Sequence, residues 1–145
     1  MRNEAEKSWL VPSDLSEVQK ASAKALDFLQ PLHLTDAYLF DIRLCLEEAM
    51  INAMKYGNAL HRDTPVSMGI GYNDKKVWIR IEDRGPGFDV AKIGNCTEGD
   101  NLLKHGGRGV YLIHQLMDEV KYNAKGNSLL MIKMIRKDVE TPRRA

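Results

Sequence analysis

The sequence has little cysteine, almost no net charge and no long hydrophobic run. Cys45 and Cys96 are the only cysteines in 145 residues, and no CxxC or Cys/His cluster accompanies them. A structural zinc site is therefore disfavoured, and free thiols in a reducing cytosol fit this usage. Lysine and arginine number 21 against 20 acidic residues. This balance argues against a protein that acts mainly by coating nucleic acid or anionic membrane.

Signals for membrane insertion and export are also missing. No stretch approaches the roughly 18 apolar residues of a membrane span. The start of the chain contains acidic residues and no apolar run, so it does not resemble a signal peptide. Hydrophobic residues make up 43% of the chain and charged residues 28%, which is typical of a globular protein rather than a disordered or fibrous one. We therefore expect one cytoplasmic domain over residues 1–145.

Helical periodicity dominates the first part of the chain. A short edge strand ending at Trp9–Val11 precedes a helix over about residues 14–29, which stops before Pro31. A second helix begins with Thr35 or Asp36 as N-cap and runs to Tyr56, where Gly57-Asn58 ends it. Apolar residues three or four positions apart give this helix one stripe that faces a core: Leu39, Ile42, Leu46, Ala49 and Ala53.

The hydrophobic pattern changes to a period of two after residue 65. Alternation predicts strands at Val66–Tyr72 and Val77–Asp83, joined by a turn at Asn73-Asp74. Residues 84–107 are glycine-rich without periodicity, which predicts a long mobile loop of the kind that serves as a lid. The remaining elements are a helix from Gly109 to Met117 and strands near 119–123 and 128–136. Helices first and strands later predict a two-layer α+β fold, with helices on one face of a mostly antiparallel, mixed sheet.

Three polar side chains lie on one face of the long helix. Glu48 and Asn52 are four residues apart and Lys55 is three further on, so all three project beside the apolar stripe. A carboxylate, an amide and an ammonium in this position could serve as base, metal ligand and phosphate contact. An ordinary solvated flank with a Glu-to-Asn hydrogen bond fits the spacing too, and spacing alone favours it because such pairs are common on helices.

Asp83 is the second candidate site residue. It is in phase with Val77, Ile79 and Ile81, so its carboxylate points to the side of three core residues. Burial of a lone carboxylate is costly unless a hydrogen bond satisfies it. A ligand amine would do so, and so would backbone amides of the following turn, whose glycines allow a backbone to approach a ligand closely. Both alternatives, a ligand site and a structural turn cap, remain open from the sequence.

The third candidate site is the glycine-rich start of the next helix, in HGGRG from His105 to Gly109. Its glycines leave the first N–H groups of the helix unobstructed, which favours an anion site, and Arg108 adds a charge suited to phosphate. A flexible hinge would explain the same glycines. Neither the GxxxxGK[ST] phosphate loop nor the GxGxxG dinucleotide fingerprint is present.

The order of these features is more specific than any one of them. ExxxN on a helix, DxGxG at a strand end, a loop, and GxG opening a helix resembles the GHKL ATPases, the superfamily of gyrase, sensor histidine kinases and certain chaperones. The short length and the MDEV sequence at Met117–Val120 are similar to the anti-sigma-factor serine kinases of bacteria. The resemblance covers residues 8–136 and leaves 137–145 as a charged tail. It implies the GHKL (Bergerat) ATP-binding fold, with ATP and Mg²⁺ as cofactors.

The resemblance also implies a role for each motif. Glu48 would be the general base, Asn52 the Mg²⁺ ligand, Lys55 a nucleotide contact, and Asp83 the acceptor for the adenine amine. Gly85 and Gly87 would let the backbone fit round the base, and residues 89–106 would be the ATP lid. The phosphates would be cradled by Gly107, Arg108 and Gly109.

The function that the resemblance implies is an ATP-dependent serine/threonine protein kinase. It would phosphorylate a small anti-sigma-factor antagonist, sequester a sigma factor or a similar regulator, and form a homodimer without direct contact to nucleic acid or membrane. The alternative is an ATP-gated protein-binding module that transfers no phosphate. A subunit of a larger GHKL machine is a weaker alternative, because the sequence has no transducer domain with its own lysine.

Overall fold

The computed structural model describes residues 4–85 and 107–136. Its strands are β1 (Ala5–Val11), β2 (Val66–Tyr72), β3 (Lys76–Glu82), β4 (Glu119–Tyr122) and β5 (Ser128–Met134), and its α-helices are α1 (Val18–Phe28), α2 (Asp36–Asn52) and α3 (Gly107–Leu116). The strands form one sheet in the order β1-β2-β3-β5-β4. Every neighbouring pair of these described strands is antiparallel. The predicted α+β fold is confirmed.

Side-chain caps begin α2 and the 3₁₀ turn that leads into α1. Thr35 Oγ1 accepts a hydrogen bond from the Tyr38 N–H at 3.1 Å, which fixes the start of α2 where the sequence predicted it. Asp14 accepts from the Ser16 N–H at 2.9 Å. The chain first makes a 3₁₀ turn over Leu15–Glu17 and enters α1 only at Val18. The helix predicted over 14–29 is therefore a capped 3₁₀ turn followed by a shorter α-helix.

The core lies between one face of the sheet and α2. The inward residues of the two central strands are buried: Val66, Met68, Ile70, Val77, Ile79 and Ile81. The predicted stripe of α2 faces them, with Ile42, Leu46, Ala49 and Ala53 buried and Leu39 at the margin. α2 also contacts α1 and α3. This packing brings the end of α2 close to the end of β3.

The end of α2 differs from the prediction. The α-helix stops at Asn52, and residues Ala53–Gly57 form a wider π-helical turn. The Asn58 N–H donates to the Ala53 carbonyl at 2.9 Å, five residues back. Ala59 and Leu60 follow with φ of 52° and 56°, in the left-handed region that costs a non-glycine residue on the order of 1 kcal/mol. Because the turn widens after Asn52, the helical spacing used to place Lys55 does not hold.

Several predictions fall outside the described residues. They are the greater part of the loop over 84–107, Gly87, the lid over 89–106, Cys96 and the tail over 137–145. The division into one domain over 1–145 also stays a prediction. In the part of the chain that is described, no helix combines the length and the apolar character that crossing a membrane requires.

Candidate functional site

A cavity of about 100 Å³ lies where α2, β3, α3 and the β4–β5 hairpin meet. Asn52 and the turn over 53–57 form one wall, and Ile81 and Asp83 form another. Val110 and Ile113 of α3 close a third side. Its volume is small against the roughly 300–1,000 Å³ of pockets that enclose a drug-sized ligand. The described walls therefore have room for only part of a ligand of that size.

The lining of this cavity is mostly apolar with a few polar groups. The apolar members come from all four elements: Ala49, Ala53, Ile81, Val110, Ile113 and Leu129. The Asp83 carboxylate and the Asn52 amide lie among these apolar residues. An apolar slot with a few fixed polar groups is the usual construction of a small-molecule site, because the slot holds the ligand and the polar groups orient it.

Asp83 lies directly beyond the end of β3 and is half-buried. It lines the cavity together with Ile81, as the period-two phase predicted. Its Oδ1 accepts a hydrogen bond from the Gly85 N–H at 2.8 Å. Burial raises the pKa of this carboxyl above its usual value of 3.8, and the Gly85 N–H opposes that shift. The turn cap and the cavity position thus occur together, since only one carboxylate oxygen is used by the cap.

Gly57 and Gly85 allow the two walls to approach each other closely. A Cβ added at Gly57 would overlap the Asp83 carboxylate, and a Cβ added at Gly85 would overlap the Gly57 carbonyl oxygen. Both positions therefore require glycine for a packing reason. The sequence identified Gly57 only as a helix stop, and the tertiary approach supplies its second role.

The β4–β5 hairpin forms a wall that the sequence did not predict. The Asp83 N–H donates to the Asn127 carbonyl at 2.9 Å, and Asn127 Nδ2 donates to the Asp83 carbonyl at 3.2 Å. Asn123 Oδ1 in turn accepts from the N–H groups of Gly126, Asn127 and Ser128 at 2.8, 3.0 and 3.1 Å. An Asn with Gly three residues later is a turn signal in the sequence, but the contact with Asp83 depends on the fold.

Glu48 and Asn52 occupy successive turns of α2. Asn52 reaches the cavity, whereas Glu48 is not one of its lining residues. Both are partly exposed, and no hydrogen bond joins them within the described residues. Burial raises the pKa of the neighbouring Cys45 thiol to about 12, and the charges of Asp41 and, to a smaller extent, Glu48 act in the same direction. The adjacent Glu47 is engaged elsewhere, since its Oε2 accepts from Ser22 Oγ at 2.6 Å.

The remaining predicted contacts are only partly described. Lys55 is exposed and does not line the cavity, and its Nζ lies 5.4 Å from the centre of the Tyr56 ring. The backbone of Gly107, Arg108 and Gly109 forms the first turn of α3, as an anion site at a helix start requires. The Arg108 side chain and Gly87 lie outside the described part of the structure.

The donor set can be tested against the cofactors that the sequence implies. No group of three or more His, Cys, Asp or Glu side chains forms a metal site within residues 4–85 and 107–136. Asn52 supplies one amide oxygen at the cavity. Mg²⁺ commonly takes one or two protein ligands and completes its shell with water and phosphate oxygens. The Asn52 amide therefore fits the role of a protein ligand to a magnesium nucleotide.

The sequence profile of the histidine kinase-like ATPase domain matches residues 11–133. The chain belongs to this family. The match extends from the end of β1 into β5 and includes every element that lines the cavity. The family assignment confirms the resemblance to GHKL ATPases inferred from the order of the motifs.

Three relatives with the name serine-protein kinase RsbW are 32% identical to this chain. The match to the protein of Oceanobacillus iheyensis runs over 98 aligned residues and covers 63% of this chain and 62% of that protein. The protein of Listeria innocua matches over 108 residues, 69% of each. The protein of Staphylococcus aureus matches over 106 residues, 68% of this chain and 67% of that protein. The chain thus spans less than two thirds of the Oceanobacillus protein and slightly more than two thirds of the Listeria and Staphylococcus proteins.

Proposed function

We propose that this protein binds ATP with Mg²⁺ in the cavity beside Asp83 and transfers the γ-phosphate to a serine or threonine of a small partner protein. The observation that carries the proposal is the Asp83 carboxylate, which lines an apolar slot that also holds Asn52. The family is one of ATPase domains, and relatives at 32% identity have the name serine-protein kinase. The family supports ATP binding, and the names of these relatives favour a kinase over other ATP-dependent activities.

Asp83 would select adenine. Its carboxylate can accept a hydrogen bond from the exocyclic amine of adenine, whereas guanine presents a carbonyl oxygen at the same position. Two facing acceptors repel each other, and a buried group without its partner costs about 1–3 kcal/mol, or roughly 5- to 150-fold in affinity. Gly85 keeps the backbone beside this carboxylate free of a side chain, and Gly87 is predicted to do the same.

Glu48 would accept the proton of the attacking hydroxyl. It lies one helical turn before Asn52 on the same face of α2 and is partly exposed, so a protein acceptor could reach it. As the bond from the hydroxyl oxygen to the γ-phosphorus forms, the bond from that phosphorus to the ADP oxygen breaks, and the hydroxyl proton passes to the Glu48 carboxylate. Bound Mg²⁺ would supply neutralisation of the phosphate charge.

Four further residues complete the proposed nucleotide site. The N–H groups at the start of α3, from Gly107 to Gly109, would bind phosphate oxygens, and Arg108 would add a fixed charge. Lys55 would contact the nucleotide from the rim of the site, since it is exposed beside Tyr56.

The proposed partners follow from the resemblance to anti-sigma-factor kinases. The phosphate acceptor would be a small antagonist protein, and a sigma factor or a similar regulator would be the second partner. A homodimer is part of the same prediction. Sedimentation of the purified protein with and without ATP tests the dimer independently of phosphate transfer.

Transfer of radiolabelled phosphate to a partner captured with ATP tests the kinase. Glu48→Gln keeps the size of the side chain but cannot accept the proton, so transfer should fall about 10²–10⁴-fold. ATP affinity should stay nearly intact. Glu47→Gln is the matched control, because it changes the neighbouring carboxylate, which bonds Ser22 instead. Its transfer rate should stay near that of the wild type.

The ATP-gated binding module makes the opposite prediction. It requires that the wild type leave its partner unlabelled and that partner capture be indifferent to Glu48→Gln. If the wild type captures its partner in an ATP-dependent way and transfers no phosphate, the kinase proposal is wrong and the binding module replaces it.

A further inference from the structure

Asn58 is a buried polar residue directly after the turn over 53–57. Its side chain is only 4% exposed. Its Nδ2 donates to the Thr64 carbonyl at 2.8 Å, to Ser13 Oγ at 3.1 Å and to the Pro65 carbonyl at 3.2 Å. Its Oδ1 accepts from the Arg84 N–H at 2.8 Å. One amide side chain thus joins the segment after β1, the loop before β2 and the turn after β3.

These partners allow only one orientation of the amide. A carbonyl oxygen can only accept a hydrogen bond, so the NH₂ group must face Thr64 and Pro65. A backbone N–H can only donate, so the oxygen must face Arg84. A flipped amide would place acceptor against acceptor and donor against donor. The bond to Arg84 is therefore a fixed part of the network.

The Arg84 N–H lies in the turn that carries Asp83. Arg84 lies between Asp83 and Gly85, and the Gly85 N–H caps the Asp83 carboxylate. The hairpin holds the Asp83 backbone from one side through Asn127. On the other side, Asn58 lies just after the end of α2. Within the described residues, its side chain forms the hydrogen bond that joins this end of α2 to the turn. Gly57, the preceding residue, packs directly against the carboxylate.

We infer that Asn58 is a positioning residue for adenine recognition. By accepting the Arg84 N–H, it fixes the turn over 83–85 against the end of α2 and thereby sets where the Asp83 carboxylate meets the base. This inference rests on the proposed function, in which Asp83 selects adenine. It adds that selectivity for ATP over GTP depends on a residue that does not line the cavity.

Calorimetric titration of MgATP and MgGTP into three proteins tests the inference. The proteins are the wild type, Asn58→Ala and Ser13→Ala, and their melting temperatures are measured in parallel. Ser13→Ala is the matched control, because it removes a buried member of the same network, 1% exposed, and leaves the Arg84 acceptor in place. Both variants should melt at lower temperature than the wild type.

Only Asn58→Ala should lose nucleotide selectivity. We expect its ratio of ATP to GTP affinity to fall about 5- to 100-fold, mainly through weaker ATP binding. The ratio in Ser13→Ala should match the wild type. If Asn58→Ala is folded and keeps the wild-type ratio, Asn58 is merely structural and the inference is wrong. If the wild type itself binds both nucleotides equally, adenine selection by Asp83 fails, and the inference fails with it.

A measurement on the wild type covers the case in which Asn58→Ala does not fold. Hydrogen exchange of the Arg84 amide should slow when MgATP is added, because the ligand stabilises the turn in which Asn58 accepts this N–H. Exchange at the Thr64 amide, which donates to the His61 carbonyl, serves as the reference in the same network. Equal exchange at Arg84 with and without saturating MgATP would overturn the inference.

Discussion

Individual residues at the cavity are held by close backbone packing. Gly57 leaves room for the Asp83 carboxylate because it has no side chain. Gly85 packs against the Gly57 carbonyl for the same reason. The Asp83 carboxylate is then capped by the Gly85 N–H. A methyl group at either glycine would act directly on the proposed adenine contact.

Gly57→Ala should impair both nucleotide binding and stability. The new Cβ overlaps the Asp83 carboxylate, and relief of such overpacking typically costs about 1–3 kcal/mol. We expect ATP affinity to fall roughly 10-fold or more, since the shifted carboxylate loses its hydrogen bond to adenine. Calorimetry measures the affinity, and thermal melting measures the stability.

Gly69→Ala is the control for this substitution. Gly69 lies in β2, and a Cβ there would meet its nearest neighbour, the Arg80 Cβ, at an ordinary 4.0 Å. Its ATP affinity should equal that of the wild type. If both variants bind ATP with wild-type affinity, the contact between Gly57 and Asp83 has no role in nucleotide binding.

Asp83→Asn should separate stability from binding. Burial raises the pKa of Asp83, so the wild type loses stability as the pH rises from below 3.8 through the pKa of the folded state. Asparagine keeps an oxygen for the Gly85 N–H but carries no charge. The variant should therefore melt at a higher temperature than the wild type near pH 7, and this difference should vanish at strongly acidic pH.

The same variant should bind ATP about 5- to 150-fold more weakly, since the amide replaces a charged acceptor. Melting curves from pH 3 to pH 8 check the predicted change in stability, and titrations near pH 7 check the predicted change in ATP affinity. A folded Asp83→Asn protein with unaltered ATP affinity would show that Asp83 does not bind the nucleotide.

Besides the pairing of β3 with β5 along their whole length, the elements around the cavity are joined by contacts at their ends. The turn over 53–57 ends α2, and the hairpin between β4 and β5 reaches across to the end of β3. A second such junction lies between α3 and β4, in the MDEV sequence. There the Asp118 carboxylate accepts from the Met134 N–H at 2.6 Å and from Arg136 at 2.6 and 3.1 Å. This junction ties the end of β5 to the end of α3.

Asp118→Asn should destabilise the protein at neutral pH. Burial alone would raise the pKa of Asp118, but the hydrogen bonds from Arg136 and Met134 outweigh it and lower the pKa below 3.8. The stabilising effect of the charge is therefore full at pH values above 3.8 and is lost as the pH falls through the lowered pKa. We expect a loss of about 1 kcal/mol near pH 7, since the group is partly exposed.

Melting of Asp118→Asn and the wild type between pH 2 and pH 8 measures this effect. Glu119→Gln is the control, because its partner Lys121 lies 3.4 Å away and both side chains are at least half exposed. An exposed pair of this kind contributes little. A difference between Asp118→Asn and the wild type that does not depend on pH would contradict an electrostatic role for Asp118.

Across the chain, the sequence predicted the helices and strands better than it predicted the site. Periods of 3.6 and two are local properties, so α2, β2, β3 and the α+β class could be found from them. The phase of Asp83 was found in the same way. The end of α2 could not be predicted from periodicity, because the π-helical turn depends on packing around residues 53–60.

The walls of the cavity depend on contacts between distant parts of the chain. The Asn58–Arg84 bond spans 26 residues and the Asn127–Asp83 bond spans 44. No local pattern indicates either partner. The resemblance to GHKL ATPases supplied the proposed roles of Glu48, Asn52 and Asp83, and it supplied no role for Gly57, Asn58 or the hairpin.

Titration of MgATP into ¹⁵N-labelled protein, followed through assigned amide signals, is the most direct test of whether ATP binds in the cavity between α2, β3, α3 and the hairpin. We predict shifts at Asn52, Gly57, Asp83 and Asn127, and none at Gly69 in the middle of β2. Unmoved signals at the four cavity residues under saturating MgATP, or shifts centred on Gly69 instead, would show that ATP does not bind in this cavity.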